Sequence, residues 1–250
     1  MRWLCFPHAG GGATMFHKWS GFLGEDVEIL AVNLPGRGTR LRERPYRRME
    51  QLVAGLVEAV RPRLDVPYAI FGHSLGATIG FELIRALRRE GAPLPVGLFV
   101  SSRVAPQIPH TARPIHHLPQ AVFLSALEER YGIVDRTLSD PEMAALLYPS
   151  LQADIEILET YTYSPEEPLP LPMTSHGALG DPSVARSALE AWREQTSGPF
   201  SIHMFPGDHF YLMRDPAPLL SHLRNAVAPG TGERASRELS SSRAARKTCK

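Results

Sequence analysis

Ser74 lies in Phe71-Gly72-His73-Ser74-Leu75-Gly76, a Gly-x-Ser-x-Gly pentapeptide set between an apolar run and a helical pattern. Tyr68-Ala69-Ile70-Phe71 reads as a short buried strand, and Ile79, Leu83, Ile84 and Leu87 recur at helical spacing after it. A turn this tight between strand and helix lifts the serine hydroxyl above the sheet edge, and a Cβ at either flanking position would clash. With Gly and Ser each at about 7% of residues, such a pentapeptide arises by chance in roughly one chain in ten of this length. The bland alternative is a flexible turn, and the strand before and helix after argue against it. Ser74 is the expected nucleophile.

A serine needs a base to take its proton and an acid to orient that base. Elbows of this kind are followed along the chain by the acid and then the histidine, each at the C-terminal end of a strand. His209 follows the last apolar run, Phe200 to Phe205, and Asp181 follows the run before it. Asp208 adjoins His209, and neighbouring side chains diverge, so it is set aside as the orienting acid. His203 falls inside a strand and is the rival base. Asp154 and Glu156 fall on a helical segment, where solvation is the expectation. The expected triad is Ser74, Asp181 and His209. Its oxyanion donors should be the backbone N–H of Leu75 and that of Ala9, in Pro7-His8-Ala9-Gly10-Gly11-Gly12. These glycines could instead cradle a phosphate, but no Gly-Lys-Ser/Thr follows and Gly-x-Gly-x-x-Gly is not matched. His8 is expected to hold this loop by hydrogen bonds rather than to act as the base.

The elements that must place these residues alternate. Strands are expected at Arg2–Phe6, Val27–Val32, around Tyr68–Phe71, at Val96–Ser101, Met173–Leu179 and Phe200–Phe205. Met49, Leu52, Val53, Leu56, Val60 and Leu64 mark one apolar helix face. The alternation implies a mostly parallel central sheet with helices on both faces. From about Pro106 to Pro172 the strand rhythm stops. One helix is expected around Phe123, Leu124, Leu127 and Tyr131. Another is opened by a capping box at Ser139-Asp140-Pro141-Glu142 and interrupted at Pro149, with a further helix carrying Leu151, Ile155, Leu158 and Tyr161. This insertion is the candidate lid over Ser74, with Phe123, Leu127, Leu151 and Ile155 as an apolar wall for an acyl chain. A last helix carries Leu219, Leu220, Leu223 and Val227. The organisation expected is one domain over residues 1–228, the lid within 106–172, and a disordered basic tail over 229–250.

The 250 residues suffice for one full core, and 43% hydrophobic with 21% charged residues is a globular composition. A formal net charge of +1 points to neither nucleic acid nor a membrane. No pair of the ten histidines has metal-ligand spacing beside a Cys or carboxylate cluster, so no metal is expected. Cys5 reads as a small core residue and Cys249 as part of the tail, which suits a reducing cytoplasm. Neither a signal peptide nor an apolar run of membrane-spanning length is present.

The motifs together resemble the type II thioesterases, the stand-alone editing enzymes of polyketide synthases and nonribosomal peptide synthetases. The resemblance rests on Phe6-Pro7-His8-Ala9-Gly10-Gly11, Leu34-Pro35-Gly36-Arg37-Gly38, the elbow, Ser102-Arg103-Val104-Ala105-Pro106, Ala145 through Asp154, and Gly207-Asp208-His209-Phe210. It spans nearly everything from Arg2 to Val227. The segment from Ser175 to Pro182 departs from it, being shorter than the family's Gly-rich turn. The resemblance implies an α/β-hydrolase fold and hydrolysis of acyl groups from the phosphopantetheine arm of an acyl or peptidyl carrier protein. No cofactor of the enzyme's own is implied, since the substrate carries the phosphopantetheine. An esterase or acyltransferase on the same fold is the alternative, separable by the ratio of thioester to oxygen-ester hydrolysis. A non-catalytic binding protein would be expected to have a broken triad. Carrier proteins of such systems are acidic, so Arg37, Arg40 and Arg42, after a strand end, are expected to face the partner on the rim that holds Ser74.

Overall fold

The computed structural model describes residues 1–24, 26–131 and 140–226. Six strands, β1 (Arg2–Phe6), β2 (Glu28–Ala31), β3 (Tyr68–His73), β4 (Leu98–Ser101), β5 (Met173–Ala178) and β6 (Phe200–Phe205), form one sheet of order β2-β1-β3-β4-β5-β6. Every pairing is parallel. Chain direction across the sheet reverses at β1 and β3, and ligands of open α/β sheets bind where strand order reverses. The His8 loop leaves β1 there, and Ser74 leaves β3.

Period-two alternation splits the strands between two cores. Leu4, Phe6, Tyr68 and Ile70 join one core with α2 (Met49–Val60) and α3 (Leu75–Arg89). Trp3, Cys5, Ala69 and Phe71 join the other with Leu219, Leu220 and Leu223 of α8 (Ala217–Ala226) and Leu23 of α1 (Ser20–Leu23). Both faces of the sheet are therefore covered, which is why β3 is buried along its whole length. Cys5 is fully buried, as its apolar surroundings suggested, and burial pushes its thiol pKa up. Three short helices, α1, α6 (Arg186–Glu190) and α7 (Tyr211–Arg214), were not foreseen; they are too short to leave a periodic signal.

The insertion between β4 and β5 carries α4 (Gln120–Tyr131) and α5 (Pro141–Thr160). α5 runs unbroken through Pro149, contrary to the expected interruption. Proline removes one N–H from the helix ladder. Apolar residues on both sides of it, Ala144 before and Leu151, Ile155 and Leu158 after, are buried, so packing holds the helix through the lost bond. Its N-cap is Asp140, whose Oδ1 accepts from the N–H groups of Glu142 (2.9 Å) and Met143 (3.0 Å). Ser139, the expected cap, lies outside the described residues, as do Val227, Cys249 and the basic tail. Phe123, Leu127, Leu151 and Ile155 all belong to the first core.

Candidate active site

Ser74 sits between β3 and α3 with φ 53° and ψ −116°, a left-handed conformation that a non-glycine residue adopts only under constraint. The constraint is visible on both sides. A Cβ at Gly72 would run into the backbone carbonyl of Gly76, and one at Gly76 into the carbonyl of Phe6. Glycine alone lets β1, β3 and α3 approach this closely. The N–H of Ser74 donates to the Ser101 carbonyl at 2.8 Å, pinning the elbow to β4.

β5 and β6 deliver the other two residues. Asp181 follows β5, and its Oδ2 lies 2.8 Å from Nδ1 of His209, which follows β6. Oδ1 of Asp181 accepts from the N–H (2.9 Å) and hydroxyl (2.6 Å) of Ser183. Burial alone would raise the Asp181 pKa, but the hydrogen bonds from His209 and Ser183 outweigh it and hold the carboxyl below its ordinary value. Both side chains are almost fully buried, at 1% and 3% exposure. Asp208 points elsewhere: it accepts from the N–H of Phe210 and pairs with Arg214 at 2.6 Å. His203, the rival base, lies within β6 and packs against the tilted ring of His222 with centroids 3.7 Å apart, short of the strand end that carries His209. His8 meets the rings of His73 and Phe210 edge-on.

Ser74 and His209 are brought to one end of the sheet, where the His73 ring, adjacent to Ser74 in sequence, lies 5.3 Å from that of His209. Among the described residues the Ser74 hydroxyl makes no hydrogen bond to His209. Contacts of this kind are often long without substrate and tighten in the complex. Beneath them runs a second polar chain that sequence reasoning missed. Nδ1 of His73 meets Ser101 Oγ at 2.9 Å, and Ser101 Oγ meets the Tyr211 hydroxyl at 3.0 Å. Ser101 is fully buried within β4, so it has no route to substrate and supports the elbow from below. Burial, reinforced by the nearby His209 and His8, depresses the His73 pKa well below that of free histidine, which keeps the ring neutral.

Of the loop donors, Gly11 N–H is taken by the His8 carbonyl at 2.9 Å and Gly10 N–H by Asp154 Oδ2 at 2.7 Å. Ala9 N–H is left without an acceptor among the described residues. Leu75 N–H is likewise unpaired at the first position of α3, as helix geometry dictates.

Three expectations fail here. Asp154 is 1% exposed and bidentate with Arg37, which is 3% exposed: Nη1 to Oδ2 is 2.7 Å and Nη2 to Oδ1 is 2.8 Å. Glu156 is buried against Arg47 and Arg48. Neither carboxylate is solvated, because α5 lies across the core rather than over solvent. Arg37 cannot greet a partner at the surface, whereas the Arg40 side chain stays partly exposed there, paired with Glu43 at 2.5 Å. Only Arg42 of that trio lacks an ion pair among the described residues.

The model of the thioesterase domain family matches residues 2–227. The chain belongs to the thioesterase family. It is similar to the gramicidin S biosynthesis protein GrsT of Aneurinibacillus migulanus, 40% identical over 92% of this chain and 91% of that one. Among solved structures it is similar to RedJ, a thioesterase of the prodiginine pathway in Streptomyces coelicolor, with 40% identity, a TM-score of 0.83 and coverage of 90% and 84%. It is also similar to BorB, the type II thioesterase of the borrelidin cluster, with 34% identity, a TM-score of 0.82 and coverage of 90% and 91%. This thioesterase is thus an α/β-hydrolase of the type II class that accompanies polyketide and nonribosomal peptide synthesis. Among the described residues no helix of the thioesterase is long and apolar enough to cross a membrane.

Proposed function

We propose that the enzyme removes acyl groups from the phosphopantetheine arm of acyl or peptidyl carrier protein domains, acting in the cytoplasm beside the synthase, through an acyl-enzyme on Ser74. The observation that carries the assignment of roles is the buried Asp181–His209 hydrogen bond at the sheet edge where the strained Ser74 projects. Ser74 Oγ attacks the thioester carbonyl while His209 Nε2 takes its proton. Asp181 holds Nδ1–H and stabilises the imidazolium. The N–H groups of Leu75 and Ala9, both without other acceptors among the described residues, receive the oxyanion; one such donor contributes about 2.7–4 kcal/mol to the transition state. The pantetheine thiol leaves with the proton from His209, and water, activated by the same ring, releases the acid. Tyr131, at the end of α4, lies 5.6 Å from His209 ring to ring, which supports a role for this end of the insertion in bordering the acyl site.

Intact-mass spectrometry with a fluorophosphonate tests the nucleophile. One adduct is expected, mapping to Ser74 and absent from Ser74→Ala. An adduct that persists in that variant overturns the assignment. Hydrolysis of acyl-carrier protein well above that of a matched oxygen ester is the expected substrate preference.

A further inference from the structure

The Arg37–Asp154 pair occupies an unusual position. It joins three segments that are remote in sequence: the loop after β1, the loop after β2, and α5 of the insertion. Asp154 Oδ2 accepts both Arg37 Nη1 and the N–H of Gly10, each at 2.7 Å. Arg37 Nη1 also donates to the Gly11 carbonyl at 3.0 Å. The pair therefore grips the same short turn from its N–H side and its C=O side. That turn is closed by Gly11 N–H on the His8 carbonyl and passes through Gly10 at φ +76°. A Cβ at Gly10 would come within 2.9 Å of Leu151 Cδ1, so α5 presses on the loop through an apolar contact as well.

The consequence falls on Ala9. The Gly10 and Gly11 amides are consumed in holding the turn, and the Ala9 amide just before them is left without an acceptor among the described residues. A loop of consecutive glycines has many accessible backbone conformations, and only a few of them aim that amide correctly. Oxyanion stabilisation depends on donors fixed before the charge develops. A bidentate guanidinium–carboxylate contact supplies that fixing with defined geometry. Exposed ion pairs are weakly ordering, but this one is excluded from water.

We propose that Arg37 and Asp154 are positioning residues for hydrolysis: they lock the His8–Gly11 turn so that Ala9 N–H is aimed at the oxyanion. This rests on the reading of Ala9 as an oxyanion donor given above. It also means that α5 is part of the catalytic framework and not only a cover.

The test compares two ligands that differ at the reacting carbon. An alkyl trifluoromethyl ketone thioether adds Ser74 Oγ to its carbonyl, passes the serine proton to His209 and places an oxyanion in the hole. The same thioether with a methylene in place of the ketone occupies the acyl site without one. Asp154→Asn should lower kcat/KM for a small acyl thioester and weaken the ketone by a similar factor, about 10²-fold, the usual effect of losing one such donor. Affinity for the methylene compound should not change. Arg37→Lys keeps the charge but not the bidentate fork, and should lose about 10-fold on the same two readouts. Unchanged ketone affinity in the variants overturns the proposal, and so does equal weakening of both compounds, which would mean a collapsed pocket. If Asp154→Asn does not fold, Arg37→Lys decides by the same criteria. Failure of the wild-type enzyme to form a Ser74 adduct with the ketone would instead overturn the assignment of the nucleophile.

Discussion

At the scale of single residues, the site combines strain with support. Ser74 is held in a backbone conformation that costs of order 1–3 kcal/mol, and it persists because β1, β3, β4 and α3 leave it no alternative. His209 is oriented by a carboxylate that is itself held by Ser183. Asp181→Asn should therefore cost about 10⁴ in kcat, because an amide donating to Nδ1 would favour the tautomer with its proton on Nε2. Rates on a small acyl thioester, with circular dichroism to show retained folding, check this. Near-wild-type turnover would mean that another carboxylate orients the base. The elbow and both partners were legible in the sequence because each leaves a local signal: glycines where backbones meet, and a polar residue just past a strand. The Arg37–Asp154 pair left none. Its members are 117 positions apart, and a carboxylate on a helix reads as solvated until its partner is known. The His73–Ser101–Tyr211 chain was hidden for the same reason. Its contacts span three segments joined only by folding.

At the scale of elements, α5 behaves as a strut. Along one helix, Asp154 reaches the glycine loop, Glu156 reaches Arg47 and Arg48 before α2, and Glu159 reaches the N–H groups of Ile115 and His116 and the guanidinium of Arg130 on α4. Burial would raise the pKa of Glu159, but these hydrogen bonds outweigh it and keep the carboxylate charged. The helical character of the insertion was readable from its periodicity, whereas its division of labour was not. Apolar spacing looks alike whether a helix packs permanently on a core or opens from it. The structure separates the two helices by what they bury: nine residues of α5 are buried, and only Phe123 and Leu127 of α4. Native-state hydrogen exchange should therefore divide the insertion. Amides from Ser150 to Leu158 should exchange as slowly as those of β3, while those of α4 exchange faster and slow down when an acyl ligand is bound. Fast exchange throughout α5 would return the whole insertion to the role of a lid.

At the scale of the whole molecule, the two faces of the sheet carry different polar burdens. The face holding α2, α3 and α5 buries ion pairs, whereas the β5–β6 end of the other face buries histidines. His176 on β5 is fully buried, with Nδ1 on the Val100 carbonyl at 3.1 Å. Its ring lies 5.3 Å from that of His222 on α8, which in turn packs at a tilt against His203 of β6. Nε2 of His176 and Nε2 of His222 are buried without a hydrogen-bond partner among the described residues. Burial, together with the neighbouring rings, pushes the His176 pKa down to about 3 and that of His222 to about 4. The unfolded chain titrates these groups near 6.5, so between about pH 6.5 and 4 it binds protons that the folded enzyme refuses. Stability must then rise with pH across that window and fall on acidification, by up to roughly 1.4 kcal/mol per pH unit for each histidine concerned. Above about 6.5 both states are neutral and this contribution is flat. Denaturant unfolding from pH 4.5 to 7.5 should show that slope. His222→Phe, which keeps an apolar ring against His203 and removes one titrating group, should make the slope shallower while leaving stability at pH 7.5 within about 1.5 kcal/mol of wild type. An identical pH dependence in the variant would show that the histidine cluster does not set the acid limit of the fold.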